Sequence, residues 1–95
     1  MKNHNIEFLI EQRKEGYEIL GKMPWIGIRR YLTLPLETCL NLNKLECLKL
    51  LIESKEKFQS KIYINNECIL FENREIAEEL LEFVNSIYIL NKLTK

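Results

Sequence analysis

The spacing of apolar residues predicts a helix and then a strand in the first third of the chain. Apolar residues recur at helical intervals from Ile6 to Leu20, and Gly21 follows as a stop signal. The next stretch, Trp25 to Leu34, is rich in aromatic and β-branched residues and lies between Pro24 and Pro35. This composition between two prolines is typical of a β-strand.

The centre of the chain predicts two helices joined by a turn. A short helix is expected from Pro35 to Leu40, and Asn41 tolerates the left-handed backbone that ends a helix. Asn43 with a glutamate three residues later is an asparagine form of the capping box and predicts a helix from Lys44 to about Lys57. The alternative, a strand over residues 45–53, is weaker because that run is mostly leucine with little β-branching.

The last third predicts a hairpin and a long helix. Two apolar segments, Lys61–Ile64 and Cys68–Phe71, flank an Asn-Asn-Glu turn in which asparagine supplies a positive φ. Asn73 is the expected N-cap of the final helix. One apolar stripe of that helix contains Ile76, Ala77, Leu80, Leu81, Val84, Ile87 and Tyr88.

Length and composition indicate one small α+β domain over residues 1–95. A chain of 95 residues and 11.4 kDa is too short for two hydrophobic cores. Apolar residues make up 46% and charged residues 29%, which is typical of a globular domain. The predicted element order is α-β-α-α-β-β-α, with a long C-terminal helix.

The central pattern resembles the winged helix-turn-helix superfamily over roughly residues 33–71. Apolar, turn and cap residues occur where that superfamily places them, at Leu36, Leu40, Asn41, Leu42, Asn43, Cys47 and Leu51. The resemblance implies that the helix after Asn43 reads DNA and that the hairpin is a wing. It places the nucleic-acid contacts at Lys44, Lys49, Lys61 and Asn66, with Arg29 and Arg30 as backbone contacts.

Charge limits the size of such a nucleic-acid site. Fourteen basic and fourteen acidic residues give zero net charge and a pI near 6.6. Residues 1–35 carry six positive and four negative charges, residues 36–71 five of each, and residues 72–95 three positive and five negative. We therefore expect any DNA site to be small and to be doubled in a homodimer.

The final helix offers a second apolar face for that dimer. Phe83, Ile87 and Leu90 follow one another at i, i+4 and i+7 beside the main stripe. Two apolar faces need two partners, and self-association or another protein would supply the second. The alternative is that a single small core buries both faces.

A protein-binding role is the second functional hypothesis. The final helix carries an acidic ridge, Glu75, Glu78, Glu79 and Glu82, which could face a basic groove on a nucleic-acid-handling enzyme. Small size, neutrality and residues with AT-rich codons suit an inhibitor or adaptor of anti-defence type from a phage or other mobile element. The alternative is that the ridge is a solvated helix face.

Enzymatic, metal and membrane roles are not expected. Cys39, Cys47 and Cys68 fall on predicted apolar faces, and His4 is the single imidazole. Three glycines form no phosphate-binding loop, and no apolar run is long enough for a signal peptide or a membrane span. The leading hypothesis is a cytoplasmic, dimeric DNA-binding regulator without cofactor or small-molecule substrate, and the alternative is the protein-binding module.

Overall fold

Three antiparallel strands form the N-terminal part of the structure. The computed structural model describes residues 6–25 and 30–93. Strand β1 (Glu7–Arg13) forms a hairpin with strand β2 (Gly16–Trp25), and strand β3 (Arg30–Pro35) pairs with the second half of β2.

The predicted first helix, Ile6 to Leu20, is wrong because this segment is the β1–β2 hairpin. Apolar residues at positions 6, 8 and 10 also satisfy a period of two. The strand register places Phe8 opposite Gly21 and Ile10 opposite Ile19, so these residues share one face. Burial of that face beneath the C-terminal helix decides between the two periods, and the local sequence does not contain that information.

The predicted single strand from Trp25 to Leu34 is also wrong. Trp25 pairs with Arg30 and Met23 pairs with Leu32, so the chain has reversed direction between β2 and β3. Pairing along β2 satisfies the backbone of both segments, which one continuous strand would not do. The predicted contact Arg29 lies outside the described residues.

The two central helices are confirmed. Helix α1 (Leu36–Cys39) is followed by Asn41 at φ 63°, and helix α2 (Lys44–Ser54) begins at a complete capping box. The Oδ1 atom of Asn43 accepts from the amide of Glu46 at 2.8 Å, and the Asn43 amide donates to the Glu46 carboxylate at 3.1 Å. The strand alternative for residues 45–53 is therefore excluded.

The hairpin is confirmed as well. Helix α2 ends three residues before the predicted Lys57, and a 3-10 helix (Glu56–Lys61) leads into strand β4 (Ile62–Asn65) and strand β5 (Cys68–Phe71). The two turn residues, Asn66 at φ 52° and Glu67 at φ 66°, both have left-handed backbone. Two consecutive left-handed residues are typical of the tightest hairpin turns.

The predicted final helix is confirmed and closes the fold. Helix α3 (Arg74–Leu93) begins after Asn73, whose side chain accepts from the Ile76 amide at 3.1 Å. The observed order is β-β-β-α-α-β-β-α, which corrects the predicted α-β-α-α-β-β-α; the coarser prediction, a small α+β domain with a C-terminal helix, is confirmed.

One antiparallel sheet carries the helices on a single face. The sheet order is β1-β2-β5-β4, and β3 shares one edge of β2 with β5. One core cluster joins this face of the sheet to all three α-helices and the 3-10 helix, through Ile19, Leu36, Leu40, Cys47, Leu51, Phe58, Ile62, Ile69, Phe71, Ile76, Ala77, Leu80 and Val84. Strands β1 and β2 therefore lie directly beneath α3.

The opposite face of the sheet holds a buried carboxylate. Glu18 is only 6% exposed, and the register places it directly opposite Glu11. Arg13 lies between them: its Nε donates to Glu18 at 2.8 Å, and its Nη2 lies 3.0 Å from Glu11. The hydrogen bond to Glu18 raises the pKa of Arg13.

Candidate functional site

A groove of about 430 Å³ separates the outer edge of β1 from α3. Its strand side is formed by the consecutive residues Ile6, Glu7 and Phe8. Because neighbouring residues of a strand point to opposite faces, a groove that touches all three runs along the backbone edge. The helix side is formed by Glu78, Leu81, Glu82 and Asn85, which share one face at i, i+3, i+4 and i+7.

The lining of the groove combines apolar and acidic side chains. Ile6, Phe8 and Leu81 are its apolar lining residues, whereas Glu7 at the edge of β1 and Glu82 on α3 form no ion pair with any residue of the described ranges. Its third carboxylate, on Glu78, accepts from Arg74 one helical turn earlier at 3.0 Å. No lysine or arginine of ranges 6–25 and 30–93 lines the groove itself, although Lys22 lies directly across the strand pair from Glu7.

The predicted acidic ridge divides between two surfaces. Glu78 and Glu82 line the groove, and Glu75 is exposed one turn earlier. Glu79 instead faces the 3-10 helix, where it accepts from Lys55 at 2.8 Å and lies 3.8 Å from Lys57. The hydrogen bond from Lys55 lowers the pKa of Glu79. This glutamate therefore ties α3 to the 3-10 helix and does not belong to the groove.

The outer edge of β1 is unpaired in the described part of the chain. Strand β1 pairs with β2 alone and is the terminal strand of the sheet. In an antiparallel ladder, every second residue of an edge strand directs its N–H and C=O away from its neighbour. The groove therefore offers backbone donors and acceptors beside its carboxylates.

An apolar hollow of about 370 Å³ continues the groove toward the end of α3. It shares Ile6 and Asn85 with the acidic part and adds Tyr88, Ile89, Lys92 and Leu93. The Tyr88 ring meets Phe8 edge-on, with centroids 5.6 Å apart, which fixes β1 against α3. The surface thus carries carboxylates at one end, and apolar side chains with one lysine at the other.

The predicted dimer stripe is only partly exposed. Phe83 and Ile87 are half-buried and pack against the core, whereas Leu90 is 55% exposed. The exposed apolar neighbours of Leu90 are Ile89 and Leu93, at 48% and 76%, and both border the apolar hollow.

The predicted nucleic-acid residues spread over several directions. Lys44 is half-buried and lies 3.7 Å from Glu37, whereas Lys49 is exposed. These two lysines are five positions apart, so they point about 140° apart around α2. Between them Leu45 is 70% exposed, which gives the outer surface of α2 a mixed character.

The remaining predicted contacts belong to other elements. Lys61 ends the 3-10 helix, and its carbonyl accepts from the Glu72 amide at 2.8 Å. Asn66 is exposed at the tip of the β4–β5 hairpin, and Arg30 begins β3.

The cysteine thiols are not poised for chemistry. All three are free, and burial raises the pKa of Cys39 to about 11 and that of Cys47 to about 12. The pKa of Cys68 is also raised by burial. Thiols with these pKa values stay protonated at neutral pH and are poor nucleophiles. Within ranges 6–25 and 30–93, no three side chains of histidine, cysteine or acid gather as metal ligands.

Sequence reasoning found the helix side of the groove and missed its strand side. Ile6, Glu7 and Phe8 were assigned to a helix, so nothing placed them beside Glu78 and Glu82. The spacing of Ile6, Phe8 and Ile10 fits an edge strand but fits a helix as well, so it could not locate this side of the groove.

Comparison with protein families, curated proteins and solved structures gives no match for this chain. None of the helices in the described ranges is both long and apolar enough to cross a bilayer. Any function must therefore be argued from the groove and the surfaces around it.

Proposed function

We propose that this protein is a non-enzymatic binding module, of the inhibitor or adaptor type, that takes up a basic segment of another protein between β1 and α3. One observation supports it above all: the groove is lined by apolar residues and by Glu7, Glu78 and Glu82, with no basic residue of the described ranges in its lining. Such a groove favours lysine and arginine, whose stems cover apolar surface while their charged ends reach carboxylates.

Charge reversal in the groove tests this proposal. With a photo-crosslinking residue at Leu81, we expect the double variant Glu78→Lys/Glu82→Lys to lose about tenfold in crosslinked partner, since each reversal removes an attraction and adds a repulsion. The measurement is crosslinking yield in cells that naturally produce the protein, and circular dichroism checks that the variant folds.

Two controls make the result specific. Glu53→Lys/Glu56→Lys changes net charge equally at exposed positions outside the groove, and a crosslinker at Gln59 samples a surface away from it. Equal yields from both charge-reversal variants, or equal yields from the two crosslinker positions, would contradict a partner site in the groove.

A second candidate function is duplex DNA binding by a homodimer, as the winged-helix resemblance implies. It is supported by the α1–turn–α2 unit and by the surface of residues 44–61, where five lysines outnumber three glutamates. Two copies would be needed, because Lys44, Lys55 and Lys57 already pair with glutamates.

For that second candidate, we expect duplex binding at about 50 mM salt, with a steep loss as salt increases. Lys49→Glu should weaken it, and the groove variant Glu78→Lys/Glu82→Lys should not. Gel shift or fluorescence anisotropy with random duplexes measures this, and a protein that binds none of them has no such function.

A further inference from the structure

We infer that the partner segment binds in extended form and adds a strand to the free edge of β1. This inference rests on the proposed function and specifies how the same groove holds its ligand. The segment would carry lysine or arginine at alternate positions, because alternate side chains of an added strand lie on the α3 side of the sheet.

The backbone of β1 favours a strand over a helix as the occupant. Three consecutive residues, Ile6, Glu7 and Phe8, border the groove, so a ligand seated there covers the outward N–H and C=O groups of the edge, of which the Ile6 N–H already donates to the Tyr88 hydroxyl at 3.4 Å. A helix satisfies its own backbone internally and would cover these groups without pairing them. An extended segment pairs them, which removes the cost of burying unsatisfied polar groups.

The edge lacks part of the protection that usually prevents strand addition. Protected edges use charged side chains, lysine above all, or proline, bulges and very short strands. Strand β1 has seven residues, spans about 23 Å, and contains neither lysine nor proline. Its one basic residue, Arg13, lies at its end and is held by Glu11 and Glu18.

Side-chain chemistry selects a basic segment. Side chains of the added strand on the α3 side would cross Phe8 and Leu81 and end at Glu78 or Glu82. Side chains on the other side would lie beside Glu7, directly across the new strand pair. A segment with acidic side chains would meet like charge on both faces.

One register in which a second copy of this chain could pair with the same edge is unfavourable. Antiparallel pairing of two β1 strands about Leu9 would place Glu7 of each copy opposite Glu11 of the other. Like charges directly opposite one another destabilise a strand pair, and here the clash occurs twice. Pairing about Ile10 would instead place Glu7 opposite Arg13, so the charges of β1 disfavour a homodimer in the first register only.

The test uses the full chain and a six-residue probe, acetyl-Val-Lys-Val-Lys-Val-Lys-amide. Two N-methylated isomers carry the methyl groups on the odd or on the even backbone nitrogens. In an added strand, one set of nitrogens faces β1 and the other faces solvent. The two isomers have the same composition, but only one of them loses the hydrogen bonds that its N–H groups would donate to β1. We expect one isomer to bind at least about tenfold more weakly than the other, which should match the unmethylated probe. Amide exchange of alternate β1 residues should slow when the probe binds.

Other outcomes separate the inference from the proposed function. Strand addition is wrong if both isomers bind like the unmethylated probe. It is also wrong if the probe does not bind while charge reversal in the groove still lowers partner crosslinking, and in that case the groove remains the binding site. If the probe binds the variant Glu78→Lys/Glu82→Lys as tightly as the unaltered chain, the groove carboxylates do not attract it and strand addition there is wrong. The same conclusion follows if the probe binds no better than a peptide with glutamate in place of each lysine. If crosslinking is also insensitive to the reversal, the proposed function fails as well.

Discussion

Replacing Arg13 with methionine is expected to lower the free energy of unfolding by about 2–3 kcal/mol, mainly because Glu18 is left buried without its charged partner. The Glu18 side chain is 7% exposed and accepts from Arg13 Nε at 2.8 Å. Glu11 lies directly opposite on β1, so the substitution also leaves two carboxylates facing each other. The Arg13 side chain is 45% exposed, which lets water enter and keeps the cost below that of a fully buried pair. Urea unfolding followed by circular dichroism measures the change.

Two further variants separate lost pairing from lost charge. Lys14→Met removes the same charge from the adjacent exposed residue and should change stability by less than about 0.5 kcal/mol. The double variant Arg13→Met/Glu18→Leu removes the buried carboxylate together with its partner and should recover most of the loss, since apolar replacement of a buried pair is often neutral. An Arg13→Met variant as stable as Lys14→Met would show that Glu18 does not depend on the guanidinium.

Elements with a strong local signal could be predicted from the sequence. The capping box of Asn43 and Glu46 fixes the start of α2 through hydrogen bonds within four residues. Asn41 and Asn66 adopt the left-handed backbone that their side chains tolerate, and Asn73 caps α3. In each case the deciding interaction lies within a few residues, so a single sequence contains it.

The N-terminal hairpin could not be predicted in the same way, because its deciding contacts are distant in sequence. Phe8 and Ile10 suit either a helix or a strand by spacing alone. They become strand residues because Ile19 lies beside them and Tyr88 of α3 packs on Phe8. The candidate groove depends on the same long-range contact, which explains why Glu78 and Glu82 could be found from the sequence and Glu7 could not.

Gly21 shows how one residue can carry two different signals. After an expected helix it indicates a stop, but in the structure it lies within β2 where α1 meets the sheet. A Cβ atom there would overlap the sulfur of Cys39 and lie 2.7 Å from Cγ2 of Ile6. The glycine is therefore required by close packing of α1 on β2, which the sequence alone does not reveal.

Gly21→Ala is accordingly expected to lower the free energy of unfolding by about 1–3 kcal/mol, the usual cost of overpacking a core. Cys39→Ala removes the sulfur and leaves its Cβ 3.7 Å from the added methyl, which is ordinary contact. The double variant Gly21→Ala/Cys39→Ala should therefore be more stable than the sum of the two single changes predicts, by about 1 kcal/mol. Contact with Ile6 remains, so recovery is partial. Urea unfolding of the four proteins gives the coupling directly.

Gly16→Ala provides the matched control for this cycle. Its Cβ would lie 2.9 Å from the Phe71 carbonyl oxygen and from the Tyr63 hydroxyl, at a φ of +157° that favours glycine. We expect Gly16→Ala to destabilise the protein as well, but Cys39→Ala should not relieve it because the sulfur is not among its near neighbours. If the Cys39 substitution were additive with both glycine substitutions, α1 would not be seated on Gly21, and the position of α1 on β2 would need another cause.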